Sequence, residues 1–143
     1  MKTSLYISSL VLVAFVFTFA NVSADELWFK NNTGTVIKAI PNGGHCMKTM
    51  PAALVLPTVG ERVASFNPGN CGDRIFYMKF VSISSGQWLD IEFRKHGDDE
   101  INPPPWTAAR SASHSDFAFC FRQGVNRARL ILYDPVHRSG SGC

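Results

Sequence analysis

Apolar and polar residues alternate at period two over most of this chain, a pattern that predicts strands rather than helices. Leu27-Trp28-Phe29-Lys30 runs into the turn signal Asn31-Asn32-Thr33-Gly34, and Thr35-Val36-Ile37-Lys38-Ala39-Ile40 follows, so a first hairpin is expected. Pro41-Asn42-Gly43-Gly44 is expected to break the chain. Leu54-Val55-Leu56 and residues 61–66 read as extended, and Asn67-Pro68-Gly69-Asn70 as a turn. Residues 74–81 and 87–94 have the β-branched and aromatic content of central strands, joined by Ser84-Ser85-Gly86 as a hairpin. Beyond a polar stretch at 96–105, Trp106-Thr107-Ala108-Ala109, residues 116–122 and residues 127–133 complete the series. No segment sustains a 3.6-residue period.

Seven or eight short strands separated by Gly, Pro and Asn turns predict an all-β domain, a small antiparallel β-sandwich linked by disulfides. Its inner faces are expected to carry Trp28, Val36, Ile40, Phe66, Phe76, Met78, Phe80, Trp88, Ile91, Phe93, Phe119, Leu130 and Leu132.

The strand pattern is preceded by Met1-Lys2-Thr3, an apolar run over residues 5–19, and small residues at Val22-Ser23-Ala24. These are the parts of a secretory signal peptide spanning residues 1–24, cut before Asp25. The expectation is a secreted, extracellular, monomeric protein, one domain over residues 25–143, with no transmembrane span left after cleavage. Cys46, Cys71, Cys120 and Cys143 all follow the cleavage point, and in an oxidising compartment they are read as two disulfides. Three pairings are open; loop-closure entropy favours Cys46 with Cys71 and Cys120 with Cys143. No two cysteines have zinc-site spacing, so no metal and no cofactor is expected. The formal net charge of +3 falls to +2 once Lys2 is removed, which gives no reason to expect nucleic acid as a partner. Asn31-Asn32-Thr33 is an N-glycosylation sequon, expected to project its glycan from a hairpin turn.

Phe29-Lys30-Asn31, His45-Cys46, Val59-Gly60, Phe66, Phe76-Tyr77, Leu89-Asp90-Ile91-Glu92, Gly97-Asp98 and Trp106 fall in the order of motifs seen in the secreted plant self-incompatibility protein S1 family. The chain resembles that family from about residue 27 to 121, with Met78 standing where the family carries a cysteine. The resemblance implies a two-sheet sandwich acting as a signalling or recognition ligand rather than an enzyme, its partner an extracellular protein or cell-surface receptor. Recognition would then fall to the loops, and Asp98, Asp99 and Glu100, in a stretch braced by Pro103, Pro104 and Pro105, form the candidate recognition loop.

Two other classes have residues to support them. A ribonuclease-like enzyme would use Glu92 as base, His96 or His137 as acid and Arg129 to hold the phosphate, since phosphodiester cleavage needs two titrating groups with a cation between them. A secreted effector, toxin or defence protein acting on membranes or glycans would gather Trp28, Phe29, Trp88 and Trp106 on one exposed edge.

Overall fold

The computed structural model describes residues 25–95, 106–114, 117–123 and 128–134. They form an all-β sandwich with no helix. In chain order the strands are β1 (Asp25–Asn32), β2 (Ile37–His45), β3 (Met47–Thr49), β4 (Leu54–Leu56), β5 (Glu61–Pro68), β6 (Arg74–Ser82), β7 (Trp88–Lys95), β8 (Thr107–His114), β9 (Ala118–Gln123) and β10 (Ala128–Tyr133). One five-stranded sheet, sheet A, has the order β3-β5-β1-β10-β9, and the other, sheet B, has β4-β2-β6-β7-β8.

The ten strands exceed the seven or eight expected because turn-rich segments are recruited into the sheets. Pro41-Asn42-Gly43-Gly44 does not break the chain. β2 runs on through it to His45, with a register shift against β6 between Pro41 and Gly44, and Gly43 takes a left-handed φ of 101° that a side chain would resist. Asn67-Pro68 likewise belongs to β5, whose end pairs with the short β3.

The expected first hairpin is absent. β1 pairs with β5 and β10 in sheet A, whereas β2 pairs with β4 and β6 in sheet B, so residues 33–36 carry the chain from one sheet across to the other. The pairing is antiparallel throughout except between β1 and β10, which run parallel. The Ser84-Ser85-Gly86 hairpin is present, with Gly86 at φ 71° and Ser82 N donating to Gln87 O at 2.8 Å.

Between the sheets lies a core rich in phenylalanine, including Phe29 of β1, Phe66 of β5, Phe76 and Phe80 of β6 and Phe93 of β7, all fully buried. Phe76 is the hub, with ring centroids 4.8 Å from Phe66, 4.9 Å from Phe93 and 5.4 Å from Trp106. Four of the expected inner residues face the other way: Trp28, Val36, Ile40 and Trp88 are only half-buried, and Leu27, Phe29, Ile37, Ala39 and Leu89 take the core positions. The cause is parity. Where consecutive residues are apolar, as in Leu27-Trp28-Phe29, a one-residue shift swaps the faces and local sequence does not choose between them.

A disulfide joins Cys46, at the end of β2, to Cys71 in the β5–β6 turn, with Cα atoms 6.0 Å apart. Gly69 N donates to Cys46 O at 2.7 Å, and a Cβ on Gly69 would stand 2.9 Å from that oxygen, so glycine is what allows this approach. Cys120 is also disulfide-bonded. Cys143, expected as its partner, lies outside the described residues, as does the expected signal peptide, residues 1–24.

Candidate functional site

Alternation along β6 and β7 sends Phe76, Met78, Phe80, Leu89, Ile91 and Phe93 inward and leaves Tyr77, Lys79, Trp88, Asp90, Glu92 and Arg94 on the outer face of sheet B. The register places Tyr77 beside Glu92, Lys79 beside Asp90 and Val81 beside Trp88. Tyr77 Oη donates to Glu92 Oε2 at 3.1 Å, and Arg94 Nε donates to Glu92 Oε1 at 2.9 Å. Arg94 Nη1 also stands 3.5 Å from Asp73 Oδ2. Further along the strands, Lys79 Nζ is 3.9 Å from Asp90 Oδ2 and sits over the Trp88 ring, 4.5 Å from its centroid. Asn42 Nδ2 reaches the same Asp90 oxygen at 3.5 Å. Asp90 is itself only 9% exposed.

These contacts form a ladder of cross-strand pairs, each acid held by a neighbouring cation or donor. The hydrogen bond to Glu92 holds the Tyr77 phenol above its ordinary value, with desolvation and the Glu92 charge adding to the effect and Arg94 opposing it. Because the folded value is raised, this contribution to stability is fully present below about pH 10 and is lost as pH rises through the folded value. Glu92→Gln is expected to move the Tyr77 transition towards that of free tyrosine in an absorbance titration; an unchanged transition would rule Glu92 out as its cause.

The ribonuclease-like set is not assembled. Glu92 lies on the outer face of sheet B and is engaged by Tyr77 and Arg94, while Arg129 lies outward on β10 of sheet A, its Nε 2.8 Å from Glu61 Oε1. A phosphate cannot touch both, since the core separates them. His96 and His137 fall outside the described residues. Among the described residues no group of three or more His, Cys, Asp or Glu could hold a metal ion.

The aromatic residues do not share an edge either. Trp106 is 6% exposed, its ring edge-on to Phe66, and its Nε1 donates to Asp25 Oδ2 at 3.0 Å. Phe29 is in the core, and the half-buried Trp28 and Trp88 belong to different sheets. The Asp25 carboxylate, at the first residue of β1, also accepts from Lys95 Nζ at 3.2 Å.

Asn31 does not project from a turn; it continues the inward row of Leu27 and Phe29 and is fully buried. Its Nδ2 donates to the carbonyl oxygens of Thr35 at 2.8 Å, Leu56 at 3.1 Å and Pro57 at 3.2 Å. Its Oδ1 accepts from Thr33 N at 2.9 Å and Thr33 Oγ1 at 2.6 Å, and its backbone N donates to Gly60 O at 2.9 Å. The side chain thus closes the end of the core where the chain crosses between sheets, satisfying carbonyls that have no place in a ladder. The expectation of a solvent-facing sequon is corrected: a glycan on Nδ2 would have to displace these bonds. The acidic trio Asp98, Asp99 and Glu100 lies outside the described residues.

No family model, curated protein or solved structure matches this chain.

Proposed function

We propose that the chain is a secreted, disulfide-bonded recognition protein of the kind the S1-like motifs imply, binding an extracellular protein or cell-surface receptor. The observation that carries this reading is the distribution of polar chemistry over the sandwich. On the outer face of sheet B the acids Asp90 and Glu92 are tied to neighbouring strands, and Glu92 and Arg129, the two described members of the catalytic alternative, stand on opposite faces. Among the described residues such a body presents surfaces and does not converge the reactive groups of that alternative on one point. Secretion is supported by the signal-like segment and by cysteines joined in disulfides.

The test is binding of the oxidised 25–143 protein to candidate cell surfaces, compared with a variant in which Asp98, Asp99 and Glu100 are alanine. Surface charge changes of this kind shift stability by about half a kcal/mol or less, whereas charges at an interface change association rates strongly. The expected result is an unchanged denaturation midpoint and weakened receptor capture. Turnover of RNA by the wild-type protein in the absence of any receptor would overturn the reading in favour of an enzyme.

A further inference from the structure

Among the described residues, the large hydrophobic side chains that stand well out into solvent are Val55 at 53%, Val59 at 80% and Ile83 at 61%. All lie at one end of the sandwich. Val55 is on β4, which begins the approach to the 57–60 turn that carries Val59, and Ile83 opens the β6–β7 turn, its N donating to Val36 O in the crossing between the sheets at 3.0 Å. This is the end that the Asn31 side chain braces, through Thr35 on one side and Leu56 and Pro57 on the other.

Val59 is held there against its own preference. Its φ is 57°, in the left-handed region where a β-branched residue is an outlier and glycine or asparagine is ordinary. The turn is closed by Gly60 N donating to Pro57 O at 3.0 Å, and the glycine one position later is fixed by contact, because a Cβ there would fall 2.3 Å from Pro57 Cγ. An aliphatic side chain that is both strained and four-fifths exposed contributes little to the fold, which points to a role outside it.

The surroundings define the occupant. Residues 32–36, 57–60 and 83–87 contain no charged residue; the acid at this end is Asp134, which follows the Tyr133 that pairs with Asn32. Part of their backbone is paired internally: besides the bonds to Asn31, Ser82 N donates to Gln87 O at 2.8 Å and Gly86 N to Ser82 O at 2.9 Å. That lowers the cost of moving these turns out of water, because unpaired backbone is what an apolar medium penalises. Lys38 is exposed on β2 directly across from Val55, one step behind the tips, where its ammonium would meet an anionic headgroup.

We propose that this end of the sandwich is a lipid-docking surface, which seats Val59 and Ile83, flanked by Val55, at the headgroup–acyl boundary of an anionic bilayer. It is separate from the receptor reading, which places recognition in Asp98, Asp99 and Glu100, outside the described residues. Docking is reversible and peripheral, since a few aliphatic side chains and one lysine give a modest affinity.

The oxidised 25–143 protein, the product expected once the signal peptide is cut, is tested by co-sedimentation with vesicles of phosphatidylcholine alone or mixed with phosphatidylserine. The expected result is association with the mixed vesicles, weakened roughly fivefold to tenfold by Val59→Asn and by Ile83→Ser separately, with the serine-lipid preference reduced by Lys38→Gln. Val59→Asn is expected to melt at the wild-type temperature or above it, because asparagine accepts the left-handed φ, so its loss of binding is not a loss of fold. Wild-type protein that ignores both vesicles, or variants that bind as the wild type does, would overturn the proposal. A concentration-dependent dimer dissolved by Val59→Asn, without vesicle binding, would overturn it in favour of contact between copies of the chain.

Discussion

Asn31→Ala is expected to destabilise the domain by about 3–5 kcal/mol, a large part of the roughly 5–15 kcal/mol that holds a domain of this size together. Asn31 spreads the two protons of Nδ2 over three main-chain carbonyls and accepts from both the N–H and the hydroxyl of Thr33. Truncation takes a donor from the carbonyls of Thr35, Leu56 and Pro57 and the acceptor from Thr33 N, leaving Thr35 O only Thr33 Oγ1 and Pro57 O only Gly60 N, and opens a void beside the core; each group left unsatisfied costs about 1–3 kcal/mol before relaxation. Asn31→Asp separates shape from donors, since it keeps the volume and the Thr33 bonds but removes the N–H groups; it should also lose several kcal/mol (about 3 or more). Urea denaturation of the three proteins measures this. A midpoint for Asn31→Ala equal to wild type would mean that the crossing between sheets holds itself without the side chain. The same bonds predict that the peptide carrying Asn31, recovered from folded protein secreted by a eukaryotic host, is unmodified by mass spectrometry.

Phe76→Ala is expected to cost about 3–5 kcal/mol and to remove near-ultraviolet circular dichroism as the ring cluster loosens. Phe76 is fully buried on the middle strand of sheet B and touches rings from both sheets: Phe66 of sheet A, Phe93 beside it, and Trp106 at the start of β8. Little can move in to fill the space, because each neighbour is fixed by its own strand pairing. Phe76→Leu retains most of the apolar volume and should recover half or more of the loss. A Phe76→Ala protein within about 1 kcal/mol of wild type would show that the cluster is plastic and the hub assignment mistaken.

The sequence made the strands of sheet B legible because residues 74–81 and 87–94 alternate strongly and are joined by a short Gly-containing turn, so that strand, partner and turn are all local. Sheet A was hidden for the complementary reason. Its central strand β1 pairs with β5 and β10, segments that local patterning cannot match to it, and the Asn-Asn-Thr-Gly that follows looks the same whether the chain folds back in one sheet or crosses to another. The inward parity of Asn31 is fixed only when Leu27 and Phe29 are known to face the core, a choice that Trp28 obscures. The geometry of Val59 was equally invisible, since Pro-Thr-Val-Gly suggests a glycine turn and the left-handed position falls one residue before the glycine. The separation of Glu92 from Arg129 follows from the assignment of β7 and β10 to different sheets, which depends on long-range pairing.

The parallel pairing of β1 with β10 makes synthesis order matter. Of the described strands β1 is the first to be made and β10 the last, yet they are neighbours in the middle of one sheet, with Leu27 beside Ala128 and Asn32 beside Tyr133. Until the ribosome has delivered β10, β1 has β5 on one side and an open edge on the other. Sheet B can close beforehand, since its strands β4, β2, β6, β7 and β8 all precede β9 and β10. The molecule is therefore built as a half-sandwich with an exposed apolar face awaiting its lid, and the interval between β8 and β10 is when a newly made copy is most exposed to aggregation or to a chaperone.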